Sequence, residues 1–202
     1  KRFILSPVQD SFLHYKSIAE ELADLQDKEI SFDIEESQIL INAPIYKDVF
    51  KSFIHIVRNC IDHGLETREE RLEKKKDESG KISIKFKKEN LLYFQVIIED
   101  DGKGIDPEKI RKIASSNESL QHLAISQMND QEIIQIVFEP GFSSKDKADH
   151  LSGRGIGMDA VRKEVLKLEG KNNLKEELKA AINTYLIDGS VIDIYYTQFQ
   201  VN

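Results

Sequence analysis

The feature that most constrains the fold is an apolar stretch that ends in carboxylates and glycines. Residues 92–99 are rich in Tyr, Phe, Val and Ile, a composition typical of a β-strand. Residues 81–86 alternate between apolar and polar side chains, and a short turn at residues 87–90 separates the two stretches. The sequence therefore predicts an antiparallel hairpin whose second strand runs into the segment EDDGKG at residues 99–104.

This segment has the chemistry of a ligand-binding loop. The carboxylate of Asp100 can accept a hydrogen bond from an exocyclic amine. Gly102 and Gly104 allow the backbone to approach a flat base without an intervening side chain. An ordinary Asp-Gly turn explains the same residues equally well, so both interpretations remain open at this point.

The rest of the chain mixes helical and strand patterns. Residues 29–34 alternate as a strand does, and residues 38–41 form a short apolar run. A helix with one apolar face is predicted from Pro44 to about His63, and another begins near Gly157. The mixture predicts an α+β fold, a two-layer α/β sandwich in which helices cover a mixed, largely antiparallel sheet.

An N-terminal helix is predicted from about Pro7, because Ser6, Pro7 and Gln9 form a helix-start signature. Apolar residues then recur at helical spacing in one stripe. The stripe consists of Val8, Phe12, Tyr15, Ala19 and Leu22. Two interpretations are open: the stripe packs on its own domain, or the helix belongs to a linker or dimerisation element.

The polar side of the helix that ends near His63 is a second candidate site. His55, Asn59 and Asp62 stand four and three residues apart, and Arg58 and His63 flank them. A helix surface that merely faces solvent would show the same stripe. The stripe alone therefore does not establish a function.

A third candidate is a loop with three alternating glycines. Gly153, Gly155 and Gly157 run through Met158 into a predicted helix, whose free amides and dipole favour an anion such as phosphate. The sequence has no G-x-x-x-x-G-K-[ST] motif, and no predicted strand precedes these glycines. The P-loop and the dinucleotide fingerprint are therefore excluded.

The segment FEPGFSS at residues 138–144 precedes the glycine loop and is broken by Pro and Gly. With Ser143 and Ser144 at its end, it suits a lid that orders over a bound nucleotide. A plain surface loop has the same composition, so this alternative also stays open.

Composition disfavours several functional classes. The 202 residues suffice for one domain with a sizeable core, and the net charge of −7 disfavours nucleic-acid binding. No apolar run approaches the ~20 residues of a membrane span, so no membrane contact is expected. The mixed charges at residues 68–76, within a polar connection at residues 65–80, are expected to form a solvated surface. The single cysteine, Cys60, fits a small core residue in a cytoplasmic protein better than a catalytic thiol.

Taken in order, HIVRNCIDHGLE, EDDGKGID, FEPGFSS and LSGRGIGMDAV resemble the N box, first glycine box, lid box and second glycine box of CheA-type chemotaxis histidine kinases. The similarity covers about residues 46–165, and four ordered motifs are far more specific than any one. The resemblance implies the ATP-binding fold shared by histidine kinases, gyrase-type ATPases, Hsp90 and mismatch-repair ATPases. Residues 29–202 are then expected to form an ATP-binding catalytic domain, and residues 1–28 a helical linker or dimerisation-helix remnant.

The resemblance also implies a role for each motif residue. Asp100 would read the adenine amine, with Gly102 and Gly104 beside the base. Asn59 would hold a Mg²⁺ ion that bridges the phosphates, and His55 would handle or orient the transferred proton. The other residues implied to bind the cofactor are Arg58, Asp62, His63, Ser143, Ser144, Gly153, Gly155, Gly157 and Met158.

The function implied by the resemblance is transfer of the ATP γ-phosphoryl group to a histidine on a separate phosphotransfer domain, with a response regulator downstream. A homodimer through the N-terminal helix would follow if that helix is a dimerisation element. His14 lacks the acidic residue and later Pro of an ordinary acceptor motif, so the acceptor is expected outside this chain. Two alternatives are a non-catalytic nucleotide-gated interaction module and an ATPase of the gyrase or mismatch-repair kind. His55, where such ATPases have Glu, disfavours the second.

Residues 169–202 depart from the family pattern. The family continues with a two-stranded hairpin, but residues 172–186 here look helical, and only residues 189–194 resemble the final strand. We therefore expect a helix over residues 172–186 and an atypical last edge of the sheet.

Overall fold

A computed structural model of this protein describes residues 4–89, 93–142, 158–171, 182–186 and 190–197. The strands are β1 (Ser6–Pro7), β2 (Ile30–Ile34), β3 (Leu40–Ile41), β4 (Gly80–Lys88), β5 (Tyr93–Asp100), β6 (Ile182–Leu186) and β7 (Ser190–Thr197). The α-helices are α1 (His14–Asp24), α2 (Ala43–Ser52), α3 (Ile54–Asn59), α4 (Arg68–Glu73), α5 (Pro107–Ser116), α6 (Asp130–Gln135) and α7 (Asp159–Lys171). Every helix among these residues is too short or too polar to cross a bilayer.

Five strands form one sheet in the order β2-β4-β5-β7-β6. β2 pairs with β4 in parallel, whereas the other three pairings are antiparallel. The predicted hairpin is confirmed, because β4 and β5 pair with Ile82 opposite Asp100. Helices and a mixed, largely antiparallel sheet make up the predicted α+β fold.

The alternation of β5 directs its last residue into the protein. Phe94, Val96 and Ile98 are buried among the core residues, and Asp100 continues the same face and is buried as well. Glu99 lies on the opposite face, where it forms an ion pair with Lys85 of β4. The core face of the sheet therefore ends in a buried carboxylate.

The apolar stripe of the N-terminal segment packs on its own domain. Val8, Phe12, Tyr15 and Ala19 belong to the same core cluster as the sheet. The centre of the Phe12 ring lies 4.8 Å from that of Phe50 and 5.3 Å from that of Phe86 in β4. This is the first of the two interpretations that the stripe left open.

The prediction that this helix begins at about Pro7 was wrong. Ser6 and Pro7 instead form β1, which pairs with β3, and the amide of Val8 donates to the carbonyl of Ile39 at 2.9 Å. A 3₁₀ turn over Val8–Ser11 follows, and α1 begins only at His14. Ser6 and Pro7 do not cap a helix, because they pair with a strand more than thirty residues away in the sequence.

The helix predicted to end near His63 is confirmed, with two interruptions. α2 and α3 are separated at Phe53, and α3 continues into a π-helical turn at Cys60–Gly64. The amide of Leu65 reaches back five residues to the carbonyl of Cys60 at 2.7 Å. Such wide turns are frequent at functional sites, and this one brings Cys60 and Gly64 next to the end of β5.

The C-terminal prediction was wrong for residues 182–186. They form β6, which pairs antiparallel with β7 and completes a hairpin at the edge of the sheet. The predicted helix has no counterpart there, because Ile, Thr and Tyr in INTYL favour a strand once β7 supplies a partner. Residues 172–181, where the same helix was expected, lie outside the described residues.

A second, smaller core supports the helices that follow β5. The side chain of Asp106 accepts hydrogen bonds from the amides of Glu108 and Lys109 and thereby caps α5. Arg111 of α5 donates to the carbonyls of Ile125 and Met128. The buried residues of this cluster are Ile110, Ala114, Leu120, Ile125, Ile133 and Ile136.

The end of α4 generates a prediction about stability. Lys75 has a φ of 58°, and the amides of Lys75 and Lys76 bond to the carbonyls of Leu72 and Arg71, as in a Schellman motif. A side chain costs roughly 1 kcal/mol in this left-handed conformation. Lys75→Gly is therefore expected to raise the melting temperature by about 2–4 °C, measured by thermal unfolding. Glu73→Gly inside α4 is the control and should lower it; a lower value for Lys75→Gly would contradict the prediction.

Candidate functional site

The carboxylate of Asp100 is buried with only one of its two oxygens satisfied. The side chain is 6% exposed, and Oδ1 accepts a hydrogen bond from the amide of Gly102 at 3.0 Å. Oδ2 is also buried but has no hydrogen-bond partner among the described residues. Buried polar atoms are rarely left in this state, because the lost hydration is uncompensated. Oδ2 is thus an acceptor available for a ligand.

Two glycines bring the backbone close to this carboxylate. A Cβ atom at Gly102 would lie 2.3 Å from the carbonyl oxygen of Gly64, and a Cβ atom at Gly64 would lie 2.9 Å from Oδ1 of Asp100. The amide of Lys103 donates to the same Gly64 carbonyl at 3.0 Å. Only residues without a side chain fit this approach of the π-helical turn to the loop.

Burial changes the acidity of the groups around this oxygen. Desolvation raises the pKa of Asp100 to about 6, against the opposing effects of the Gly102 amide and the Cys60 thiol. The pKa of Cys60 is itself raised, first by burial and then by the neighbouring Asp100 carboxylate. Cys60 is a buried free thiol, as expected for a core residue rather than a nucleophile.

The opposite end of α3 holds the second part of the site. His55 is half-buried, and its pKa is lowered by this burial and by the positive charge of Arg58, while Asp159 opposes the shift. The imidazole is therefore neutral at physiological pH. Asp159 lies in the first turn of α7, and Met158 just before it is buried in the main core. α3 thus connects the Asp100 loop with the start of α7.

The remaining polar residues of this helix have different surroundings. Asn59 is half-buried, and His63 is exposed. Oδ1 of Asp62 accepts a hydrogen bond from the side-chain Nε2 of Gln26 at 2.7 Å, which ties the π-helical turn to the segment after α1. A role of Asp62 or His63 in cofactor binding stays a prediction.

The predicted lid and glycine loop are only partly within the described residues. Gly104 is described and has a φ of 71°, whereas Ser143, Ser144, Gly153, Gly155 and Gly157 lie outside the described residues. The first part of FEPGFSS is anchored, because Phe138 is buried in the main core and Glu139 forms an ion pair with Arg162 of α7. The side chain of Asn117 also donates to the carbonyl of Gly141 at 2.9 Å.

The charged stretch at residues 68–76 is not entirely the solvated surface that was expected. Arg71 is 1% exposed, and its guanidinium donates to both carboxylate oxygens of Asp101, at 3.1 and 2.7 Å. The Thr67–Glu70 capping box is a sequence signal for α4. No local signal shows which cation of α4 is buried, because that depends on how the helix packs against the end of β5.

The side chains of the site are compatible with a nucleotide whose phosphates carry a metal ion. The open Oδ2 of Asp100 and the glycine cradle suit an amine-bearing base. In the described part of the chain, no three His, Cys, Asp or Glu side chains converge as metal ligands. Mg²⁺ often keeps water and phosphate ligands and takes only one or two from the protein, so a single amide oxygen from Asn59 is compatible with it.

A family comparison agrees with this geometry. The sequence profile described as histidine kinase-, DNA gyrase B-, and HSP90-like ATPase matches residues 47–186, more than half of the chain. The chain belongs to this family. Membership implies ATP binding, and the match includes α3, the Asp100 loop and α7.

Individual curated proteins are more similar to the chain than the broad family description implies. The chain is 35% identical to the gliding motility regulatory protein of Myxococcus xanthus over 82% of this chain and 21% of that protein. It is 34% identical to the chemotaxis protein CheA of Borreliella burgdorferi over 85% of this chain and 20% of that protein. The chain therefore spans about a fifth of the length of the curated relatives it matches.

Solved structures support the fold. The catalytic domain of the histidine kinase ThkA matches with a TM-score of 0.52 and 15% identity, over 98% of this chain and 97% of that chain. The mycobacterial sensor histidine kinase MprB matches with a TM-score of 0.51 and 14% identity, over 96% and 98%. At this level of identity the similarity concerns the fold alone.

The half-satisfied carboxylate predicts an unusual effect on stability. The folded pKa of Asp100, about 6, lies above its ordinary 3.8, so the ionised form costs stability above pH 6 and the cost disappears as the pH falls towards 4. Asp100→Asn is therefore expected to raise the melting temperature of the nucleotide-free chain by about 2–4 °C at pH 8. The difference should shrink below pH 5, as measured by thermal unfolding across pH.

Asp33→Asn is the matched control, because the Asp33 side chain on edge strand β2 is 59% exposed. It should change stability little at any pH. An Asp100→Asn variant that is less stable than the parent chain at pH 8 would show that Oδ2 is not a costly open acceptor.

Proposed function

We propose that this chain is the ATP-binding catalytic domain of a CheA-like histidine kinase. In this proposal it transfers the γ-phosphoryl group of Mg²⁺-bound ATP to a histidine on a separate phosphotransfer domain. The observation that carries the proposal is the buried, unpaired Oδ2 of Asp100 beside the Gly64–Gly102 contact. Similarity to CheA proteins over more than four fifths of the chain supports the kinase assignment.

The open oxygen of Asp100 would favour adenine over guanine. The exocyclic amine of adenine donates a hydrogen bond, whereas guanine has a carbonyl oxygen at the corresponding position. A carbonyl directed at Oδ2 would leave two acceptors unpaired in a buried site, which binding sites of this kind reject strongly. Gly102 lets the base approach the loop, because it has no side chain to block it.

At the other end of α3, the chain's own groups suit the triphosphate. Arg58 is exposed and offers a positive charge. The first turn of α7, like the start of any helix, offers free backbone amides and the positive end of the helix dipole. Mg²⁺, when bound, neutralises phosphate charge and orients the γ-phosphoryl group. Asn59, one helical turn after His55, would contribute an amide oxygen to it. The proposed site also includes Asp62, His63, Met158, Ser143, Ser144, Gly153, Gly155 and Gly157.

His55 supports a kinase rather than an ATPase. A neutral imidazole can accept a hydrogen bond from the N–H of an incoming histidine and orient that nucleophile towards the γ-phosphorus. His55 stands where the family's ATPases have the glutamate that would activate water, so the chain has no carboxylate at that position. Burial and Arg58 keep His55 in this neutral form.

The partners in this proposal are a histidine-containing phosphotransfer domain and, downstream, a response regulator, in two-component chemotaxis-type signalling. Relatives named chemotaxis protein CheA and sensor histidine kinase CheAY support this choice. A cytoplasmic location is part of the proposal, supported by the free thiol of Cys60. A homodimer through α1 would have to use its exposed side, because the apolar stripe is buried.

Nucleotide binding should depend on pH through Asp100. The amine of adenine stabilises the ionised carboxylate, whose pKa in the free protein is about 6. The affinity for Mg-ADP, measured by titration calorimetry, is therefore expected to fall up to about tenfold between pH 7 and pH 5. Asp100→Asn should bind more weakly at pH 7 and lose this pH dependence. An unchanged affinity in that variant would remove the adenine assignment.

Phosphoryl transfer should require Asn59. Asn59→Asp places an additional negative charge beside the phosphates and is expected to lower transfer from γ-labelled ATP to a cognate phosphotransfer domain by at least about 100-fold. Lys51→Ala, at an exposed position of α2, is the control and should retain activity.

The same assay separates the proposal from its alternatives. Label on the phosphotransfer domain that disappears with Asn59→Asp supports the kinase and the metal role of Asn59. Bound ATP without any transfer would favour a nucleotide-gated interaction module. Rapid release of phosphate without a partner would favour an ATPase.

A further inference from the structure

A group of five charged side chains, the ion cluster, lies beside the Asp100 loop and has no part in the function proposed so far. It consists of Glu66, Arg71, Lys74, Lys76 and Asp101. Glu66 is at its centre with a side chain only 1% exposed, and it contacts Lys74 at 3.0 Å, Lys76 at 3.1 Å and Arg71 at 3.4 Å. Burial opposes ionisation of Glu66, but the hydrogen bonds from Lys74 and Lys76 outweigh it and lower the pKa.

Arg71 connects α4 with the residue after Asp100. Its Nη1 and Nη2 atoms donate to Oδ1 and Oδ2 of Asp101, and its Nε atom donates to the carbonyl of Asp77 at 2.6 Å. The Oδ1 atom of Asp101 also accepts from the amide of Lys81 at 2.8 Å. Asp101 is therefore held by α4 and by β4 at the same time, in a geometry that only the planar guanidinium provides.

Lys76 acts on the peptide unit that contacts Asp100. Its Nζ atom donates to the carbonyl oxygens of Asp101 at 2.9 Å and of Gly102 at 2.8 Å. The Asp101 carbonyl and the Gly102 amide belong to one planar peptide unit, whose C=O and N–H point in opposite directions. Lys76 fixes one side of this unit, and Oδ1 of Asp100 accepts from the other side. Rotation of the unit would break hydrogen bonds on both sides.

We propose that Arg71 and Lys76 are positioning residues for nucleotide binding: they hold the Asp101–Gly102 peptide so that Oδ1 of Asp100 is satisfied and Oδ2 alone stays open to the base. The inference rests on the proposed function of Asp100. It assigns to the charged stretch after the N box a role in adenine recognition.

The contacts favour this role over simple stabilisation of the fold. Buried ion pairs contribute little net stability compared with apolar packing, so stability alone is a weak reason to bury Arg71 and Glu66. Three of the contacts of Arg71 and Lys76 end on the backbone or side chain of Asp101, and a fourth ends on Gly102. The cluster therefore acts on the loop rather than on the apolar core.

The cluster also sets the charge around Asp100, which supplies a specific readout. The groups that act on Asp100 are the Gly102 amide, the Cys60 thiol, the Asp101 carboxylate and the Lys76 ammonium. Asp101 raises the pKa of Asp100, whereas Lys76 lowers it. Removing the Lys76 charge should therefore move the pH midpoint of nucleotide binding upwards, and a variant that only loosens the fold would leave the midpoint in place.

The test is calorimetric titration of the chain with Mg-ADP between pH 5 and pH 8. Lys76→Met is expected to lower the affinity at pH 7 by about tenfold, the effect of one charge-assisted hydrogen bond, and to raise the pH midpoint. Arg71→Lys keeps the charge but loses the bidentate fork, and a comparable loss of affinity is expected.

Two matched controls separate the cluster from general effects. Lys81→Met removes a lysine whose side chain pairs with Asp33 on the surface, and Arg68→Lys alters the other arginine of α4, which pairs with Glu78. Both should bind with the affinity and pH midpoint of the parent chain. Lys76 is partly exposed, at 31%, so its variant carries the test if Arg71→Lys does not fold.

The outcomes distinguish the two levels of the hypothesis. If the parent chain does not bind Mg-ADP, the proposed function fails. If the parent chain binds, and Asp100→Asn weakens binding while folded Lys76→Met binds as the parent does, the positioning role is overturned. A weaker Lys76→Met variant with an unchanged pH midpoint also overturns it, because the cluster would then only support the fold.

Discussion

The site depends on one buried carboxylate that the protein satisfies only by half. Oδ1 of Asp100 accepts from the Gly102 amide, and Oδ2 is buried without a hydrogen-bond partner among the described residues. The cost of this arrangement is visible in the pKa of Asp100, which burial raises to about 6. A fold that only had to be stable would place an apolar residue at the end of β5, as it does at Val96 and Ile98. The open oxygen is therefore best understood as a binding determinant.

Three separate elements produce this geometry. The alternation of β5 turns Asp100 inwards, the π-helical turn after α3 brings the Gly64 carbonyl against Gly102, and the ion cluster fixes the peptide after Asp101. α3 then extends from this contact to His55, whose charge environment includes Asp159 of α7. A short helix thus links the two regions where the base and the phosphates of one nucleotide are proposed to bind.

Much of this was predictable from the sequence, for reasons that are local. The β4–β5 hairpin and α2–α3 follow from periodicity, and Asp100 and the N-box residues follow from motifs that keep their order. The failures are non-local. β1 replaced the expected start of the helix because Pro7 pairs with Leu40, β6 became a strand because β7 pairs with it, and Arg71 was buried by Asp101 thirty residues away. Propensity describes a segment in isolation, and these three outcomes depend on a distant partner.

The open oxygen also couples the stability of the domain to its occupancy. A ligand that donates to Oδ2 binds the folded chain and not the unfolded one, so it stabilises the fold by mass action and also removes the desolvation cost of the carboxylate. The free protein is consequently less stable around the Asp100 loop than its packing would permit. Gly64 and Gly102 are in direct contact, so the loop packs against the π-helical turn that continues α3. The loop proposed to recognise the base and the residue His55 are therefore joined by one continuous helical stretch, residues 54–64.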